Sequence, residues 1–281
     1  MNHSVFLCFP GGKRKAFTVS YDDGVEQDVR LIDLMKKHGV KGTFNLNSEQ
    51  FAAPGTVYPQ GQVHRRMTQA QCLALYAQDG IEVAVHATKH GFLTSMPLSV
   101  VLTQVLDDRR NLESLFGGIV RGMAYPYGVC NETVAQALRA CGVAYARTTR
   151  ATHDFALPTD WLLLNPTCHH DDPQLFELAD RFVDTAPRHT PWLFYLWGHA
   201  YEFEGHDNWA RIERLLERIG GHDDVWYATN IEIYEYVRSF ESLIYSANGD
   251  RVTNPTARDI YVKADDREPV CIPAGSVCFS L

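Results

Sequence analysis

The sequence has no excess of basic charge. Its 281 residues carry 26 Lys and Arg against 34 Asp and Glu, a formal net charge of −8. Phosphate backbones are gripped by clustered Lys and Arg, so a nucleic-acid partner is not expected. No apolar run approaches the ~18 residues of a membrane helix, and no membrane partner is expected. The stretch Met1–Pro10 is apolar but short, with no basic segment ahead of it, which is not the form of a secretory leader. The seven cysteines are odd in number and none makes a Cys-x-x-Cys. Reduced thiols in a cytoplasmic protein are the expectation, not a disulfide framework. Repeats and low-complexity tracts are lacking too. At 45% hydrophobic and 21% charged residues, what remains is a globular chain with a large buried core.

What is present is an alternation. Ala16–Tyr21, Val40–Leu46, Ile81–Val85, Val120–Tyr125, Val143–Tyr145, Trp161–Leu164, Trp192–Trp197 and Val225–Ala228 read as apolar strands. Between them lie amphipathic helical segments at Glu26–His38, Thr68–Gln78, Leu98–Phe116, Asn131–Cys141 and Asn208–Ile219, with Ile231–Phe240 after the last. Several of these stop at glycine. Strands alternating with helices imply parallel β structure with right-handed crossovers. Seven or eight such units favour an α/β fold closed as a distorted (β/α) barrel over residues 1–240. No glycine-rich dinucleotide fingerprint supports an open doubly wound sheet. Past Phe240 the texture changes to short β runs broken by Asn-Gly-Asp, Asn-Pro and Pro-Ala-Gly. Residues 241–281 are expected to form a small β appendage, packed on the barrel or mediating a homo-oligomer.

In parallel α/β folds the side chains after the strands line the site. Here those are Tyr21-Asp22-Asp23-Gly24, His86 to His90, Tyr125-Pro126-Tyr127-Gly128, Asn165 to His170, and Gly198-His199. The run Tyr201-Glu202-Phe203-Glu204 after His199 reads as a loop that shapes the rim. Each piece alone is weak. Asp-Asp occurs five times in the chain, and for 12 histidines about half a His-x-x-x-His pair is expected by chance. Placement is what distinguishes them, because both begin where an apolar run ends. Two imidazoles four residues apart can share one cation, and a carboxylate from another strand end completes a set with open positions for water and substrate.

Together these segments resemble the motifs of the polysaccharide deacetylases, carbohydrate esterase family 4. The family's Thr/Ser-Phe/Tyr-Asp-Asp-Gly stands here as Ser20-Tyr21-Asp22-Asp23-Gly24. Its His-Ser/Thr-x-x-His is matched by His86 and His90, with the hydroxyl residue displaced to Thr88. Its Pro-Tyr-Gly is Pro126-Tyr127-Gly128, and a strand-end histidine is matched by His199. The resemblance implies Asp22 as general base and Asp23, His86 and His90 as ligands of a divalent metal. Zn2+ is the first choice there, with Co2+, Ni2+, Mn2+ or Fe2+ as alternatives. It further implies His199 as general acid and the Tyr127 loop as an oxyanion contact. Three departures stand out. The arginine expected two residues before Pro126 is Ala124, with Arg121 nearby but out of register. The leucine of the acetyl-methyl pocket is replaced by Trp197. Trp161, after Asp160, stands for the tryptophan of the fourth motif, while His169 or His170 is the other candidate to enter the site.

The implied activity is metal-dependent removal of N-acetyl groups from an amino sugar, oligosaccharide or glycosylated small molecule. The nearest alternative is hydrolysis of a non-sugar amide or ureide. Another is a carbohydrate-binding protein without turnover, motivated by Ala124. Local structural roles stay open for the same residues: Asp22 and Asp23 as helix caps, the histidines as packed core groups, Tyr127 and Trp197 as core aromatics. A non-haem iron oxygenase shares two histidines and a carboxylate but not this alternation of strands and helices.

Overall fold

The computed structural model describes residues 4–265 and 267–280. Val5–Cys8 (β1) leads into Lys15–Asp22 (β2), a strand buried along its whole length. Burial on both faces is why no charged residue interrupts Ala16–Tyr21, and its two hydroxyls, on Thr18 and Ser20, are met by Asn230 and Asn45. β2 pairs in parallel with Gly42–Leu46 (β3) along Val19 to Asp22 and with Val225–Tyr227 (β9) along Lys15 to Phe17. Its other edge carries Trp192–Gly198 (β8). Beyond β3 come Ile81–Val85 (β4), Gly122–Ala124 (β5) and Tyr145–Arg147 (β6); beyond β8 lies Cys168–His169 (β7). All eight strands are parallel in one curled sheet, as the alternation implied. Irregular backbone closes the gap between β6 and β7. Leu164 bridges Arg147, and Thr167 N–H donates to Tyr195 O at 2.8 Å.

Two expectations are corrected here. Trp161–Leu163 is a 3-10 turn and not a strand, because the Asp160 carboxylate accepts from Leu162 N–H at 2.9 Å and starts the chain turning. Ala200–Gly205, read as a loop at the rim, is a helix. In chain order the α-helices are Asp28–Lys37 (α1), Gln69–Tyr76 (α2), Leu98–Phe116 (α3), Glu132–Ala140 (α4), Leu175–Asp184 (α5), Ala200–Gly205 (α6), Trp209–Ile219 (α7) and Asn230–Glu241 (α8). α2 opens with a reciprocal Thr68–Gln71 capping box, and α3 stops at Gly117, whose φ of 74° suits glycine. α5 is additional to the expected set. Its Leu175, Leu178, Ala179 and Phe182 are buried at helical spacing.

The C-terminal strands are Ile244–Tyr245 (β10), Arg251–Thr253 (β11), Ile260–Ala264 (β12), Val270–Ile272 (β13) and Phe279–Ser280 (β14). β1 pairs antiparallel with β12, so the first strand of the chain lies in the appendage sheet and not in the barrel. Leu7, Val252, Ile260 and Ile272 share one apolar cluster with Ala16, Leu193 and Tyr236 of the barrel. Among the described residues no helix is long and apolar enough to cross a membrane.

At the start of α1, Asp28 is fully buried and its Oδ2 accepts from Val25 N–H at 3.0 Å and Tyr76 O–H at 2.6 Å. Burial, against these bonds, pushes its carboxyl up to about 7. A carboxyl raised in the folded state binds more protons there than in the unfolded chain, so it withdraws stability as pH climbs from about 4 to about 7. Asp28→Asn removes that dependence. The melting-temperature advantage of wild type over Asp28→Asn is expected to shrink across this window and level off above it. A constant difference from pH 4 to 8 would count against the shift.

Candidate active site

The ends of β2, β4 and β8 converge on one rim. Asp22 is the last residue of β2, and Asp23 follows with its N–H donating to Asn45 O on β3 at 3.0 Å. His86 follows β4, with its N–H donating to Leu46 O and to the buried Asp108 carboxylate. His199 follows β8 and starts α6. Positive φ marks the same rim. Among the described residues eight non-glycines have it, and four of them are here: Asp23 at 83°, Ala87 at 60°, His90 at 52° and Tyr127 at 59°. Such backbone costs on the order of 1–3 kcal/mol per residue and persists where surrounding structure fixes it.

Asp23, His86 and His90 each offer one ligand atom within 4.8 Å of the others. The chemistry of His86 fits an ion. Its Nδ1 lies 2.8 Å from the Ala124 carbonyl, which can only accept, so Nδ1 carries the proton and Nε2 has the lone pair. That Nε2 is buried without a hydrogen-bond partner. Burial also pulls the ring's pKa down to about 4, against the pull of Asp22 and Asp23, so it is neutral at physiological pH. Asp23 is steadied by two residues that the sequence reading did not single out. Arg66 Nη2 donates to Oδ1 at 2.7 Å, and His64 Nε2 lies 3.1 Å from Oδ2. Burial raises the Asp23 carboxyl, but His64 and Arg66 override it and hold it well below the usual carboxylate range.

Asp22 sits beside this group. Its Oδ1 accepts from Asn45 Nδ2 at 2.8 Å, and its Oδ2 is 3.7 Å from His86 Nε2 and 3.8 Å from His199 Nε2. The same Oδ2 pairs with Arg147 Nη2. Burial pushes the Asp22 carboxyl up; Arg147, with His86 and His199, brings it below the ordinary value. Arg147 is missing from the sequence reading, which found Ala124 in place of the arginine and only Arg121 nearby; Arg121 instead donates to Gly142 O and lies over the Tyr234 ring. Ala124 and Arg147 are register partners on β5 and β6. The guanidinium therefore comes from the neighbouring strand, while position 124 serves His86 through its carbonyl. A charged residue ending the apolar run Val143-Ala144-Tyr145-Ala146 was the available signal.

Residues 10–146 match the family model described as polysaccharide deacetylase. Over this segment, just under half of the chain, the protein is similar to the polysaccharide deacetylase family. A chitin deacetylase of Pestalotiopsis sp is 25% identical over 140 residues, covering 50% of this chain and 43% of its own. Peptidoglycan-N-acetylglucosamine deacetylase PgdA of Listeria monocytogenes is 27% identical over 125 residues, 43% of this chain and 23% of its own. The chain thus spans less than half the length of these curated relatives. Among solved structures, a Mycobacterium smegmatis protein provisionally assigned to the polysaccharide deacetylases aligns over 84% of this chain and 94% of its own, with a TM-score of 0.59 and 16% identity. A variant of Bacillus subtilis peptidoglycan deacetylase PdaC aligns over 82% and 94%, with a TM-score of 0.50 and 16% identity. At such identity these two speak to the fold, which is the curled parallel sheet of the polysaccharide deacetylases.

The matched segment contains Asp22, Asp23, His86, His90 and Tyr127 and stops one residue before Arg147. Tyr127 is half-exposed on a turn. Its ring stacks on Phe92 at 3.8 Å and 8°, and meets His90 edge-on at 4.6 Å. Trp197, expected as an acetyl-pocket residue, lies over the Arg147 guanidinium at 4.4 Å, a cation–π contact that holds the arginine against Asp22. Trp161 is away from the rim and packs edge-on against Tyr234 in the cluster shared with the appendage. His199 is the group facing Asp22 from β8, and a carboxylate three residues on, Glu202, faces its other nitrogen at 3.3 Å. Burial pushes the His199 pKa down; Glu202 and Asp22 outweigh it and raise it above the ordinary imidazole value.

Proposed function

We propose that this chain is a metal-dependent N-deacetylase acting on N-acetylated amino sugars, short oligosaccharides or glycosylated small molecules. One observation carries the reading: a buried carboxylate, Asp22, lies within 4 Å of both a histidine of the possible metal group and a separate histidine, His199. A hydrolase of this kind needs a base on one side of the reacting carbonyl and an acid for the leaving nitrogen.

Asp23, His86 and His90 would hold the ion, with Zn2+ suited to two imidazoles and one carboxylate. A bound divalent ion would polarise the amide carbonyl and lower the pKa of its water. Asp22, kept ionised by Arg147, takes the proton of the attacking water. His199 gives a proton to the departing amine, and acetate remains. The backbone around Tyr127 is the proposed contact for the carbonyl oxygen. The half-exposed Phe92–Tyr127 stack offers the apolar face that a sugar ring's C–H groups favour. A cavity of about 950 Å³ is lined by Glu26, Ser48, Glu49, Tyr58 and Arg66, the arginine that also donates to Asp23. Arg147 also weakens the rival reading of a binding protein without turnover, since Ala124 was its motivation.

Acetate release from N-acetylated chito-oligomers, measured with Zn2+, Co2+, Ni2+ and Mn2+ in turn, tests the reading. Turnover with at least one ion is expected. Saccharide binding with no acetate under any of them would favour the binding protein. Release of ammonia or a ring-opened acid from a cyclic ureide, but not of acetate from the sugar, would favour the other hydrolase.

A further inference from the structure

Asp23 follows β2 and His86 follows β4, so these two donors stand on strands that are not neighbours, with β3 between them. Their spacing has to be held, because both ends are strained. Asp23 at φ 83° and Ala87 at 60° are left-handed without being glycine, and such backbone persists only where its surroundings fix it. The residue after β3 is Asn47, which is buried. Its Nδ2 donates to His86 O at 2.5 Å and to Ala87 O at 2.7 Å. Its Oδ1 accepts from Arg66 Nη1 at 2.9 Å. The amide fits only this way round, since a flipped one would set its oxygen against two carbonyl oxygens. The same Arg66 Nη1 donates to Asp23 O at 2.9 Å, and Nη2 donates to Asp23 Oδ1 at 2.7 Å. One guanidinium and one amide thus join the Asp23 carboxylate and the carbonyls of Asp23, His86 and Ala87 in a single chain of hydrogen bonds. The arginine is itself anchored. Arg66 bridges Val25, Met67 N–H donates to Gly24 O at 2.9 Å, and Tyr58 O–H donates to Arg66 O at 2.7 Å.

We infer that Arg66 and Asn47 form one bracket that sets the spacing of Asp23 and His86 in advance, so that a divalent ion meets donors already in place. Both are positioning residues, acting through the ligands and not on the ion. The inference rests on the proposed function for one thing, the assignment of Asp23, His86 and His90 as ligands. Removing an outer partner of a metal ligand typically costs about 10–100-fold in metal affinity. The shape of the arginine is what the bracket uses. A lysine would keep a positive charge beside Asp23, but one ammonium cannot stand in for two guanidinium nitrogens fixed on Asp23 O, Asp23 Oδ1 and Asn47 Oδ1.

The test is metal affinity in the full chain, read without turnover: Zn2+ by competition with a chromophoric chelator, and Co2+ by its visible absorption. The Kd for either ion is expected to rise about 10–100-fold in Asn47→Ala and in Arg66→Lys. In the double variant the rise should be little larger than in either single one, because a bracket acting as a unit is broken only once. Wild-type Kd values in both single variants, or rises that multiply in the double variant, would overturn the inference. A merely structural role would lower the melting temperature of the metal-free protein and leave the Kd of the folded chain where it was, so melting curves in excess chelator accompany each titration. If Asn47→Ala does not fold, Arg66→Lys decides alone, since that side chain is partly exposed and the charge is kept. His86→Ala gives the background from other donors, among them His169, His170 and Glu202, which also gather within 4.8 Å of one another. Ion binding that survives His86→Ala and weakens equally on adding Asn47→Ala would belong to those residues and sink the bracket. Wild type that takes up neither ion would overturn the bracket and the ligand assignment together. Wild type that binds Zn2+, with the shifts as stated but no acetate released, leaves the bracket standing and fells the deacetylase reading.

Discussion

Asp22→Asn is expected to keep its bound metal and lose about 10²–10⁴ in the rate of acetate release, whereas His86→Ala is expected to lose metal and turnover together. The contrast follows from which atoms would face the proposed ion. His86 Nε2 is the buried, unpartnered nitrogen of the donor group, and its tautomer is set by the Ala124 carbonyl. An alanine there removes a ligand and leaves Asp23 and His90, too few donors for a stable tetrahedral site. Asp22 is not in that group. Its Oδ2 points toward His86 and His199 from the side, so an amide in its place leaves the ligands untouched and removes only the proton acceptor. The substituted amide keeps the shape and can still accept from Asn45 or Arg147, though it leaves the Arg147 charge without its anion. Elemental analysis of the purified variants, with circular dichroism to show that both are folded, reads out the contrast. Full metal occupancy in His86→Ala would remove it from the ligand set. Near-wild-type acetate release in Asp22→Asn would remove Asp22 from the base role.

The rim was legible because its residues follow strand ends in short linear motifs. Asp22-Asp23 and His86 to His90 could be placed without any tertiary information, since a buried parallel strand announces itself as an apolar run. The residues that were missed act across the sheet. Arg147 on β6 reaches Asp22 on β2 with β5, β4 and β3 lying between them in the sheet order, and its link to Ala124 is one of register, which sequence spacing does not encode. His64 and Arg66 come from an irregular segment before α2 with no periodicity to mark it. Glu202 was concealed by reading Tyr201 to Glu204 as loop. Its carboxylate on the His199 backbone N–H is part of what starts α6. β1 was unreadable for a different reason, since its partner β12 lies near the opposite end of the chain.

Arg147→Leu is expected to destabilise the protein by about 3–5 kcal/mol, because it leaves a buried carboxylate without its cation. Both partners are almost fully buried, at 1% and 3% side-chain exposure, so water cannot replace the lost charge. Against a total stability of ~5–15 kcal/mol this is a large fraction, but one that a folded chain can survive. The pH dependence distinguishes the ion pair from simple loss of packing against Trp197. In wild type the Asp22 pKa lies below its unfolded value, so the pair contributes stability above pH ~4 that is lost as pH falls through the lowered folded pKa. Without Arg147 burial dominates, the folded pKa moves above the unfolded one, and stability is instead withdrawn as pH rises. The gap between wild type and Arg147→Leu, measured by urea unfolding, should therefore be small at acid pH and widen toward neutrality. Packing alone would give a gap that does not change with pH. The double variant Arg147→Leu/Asp22→Asn removes both charges and should be more stable at pH 7 than Arg147→Leu alone, since a vanished pair costs less than a broken one. If the double variant is the less stable of the two, the Asp22–Arg147 pair is not what the substitution broke.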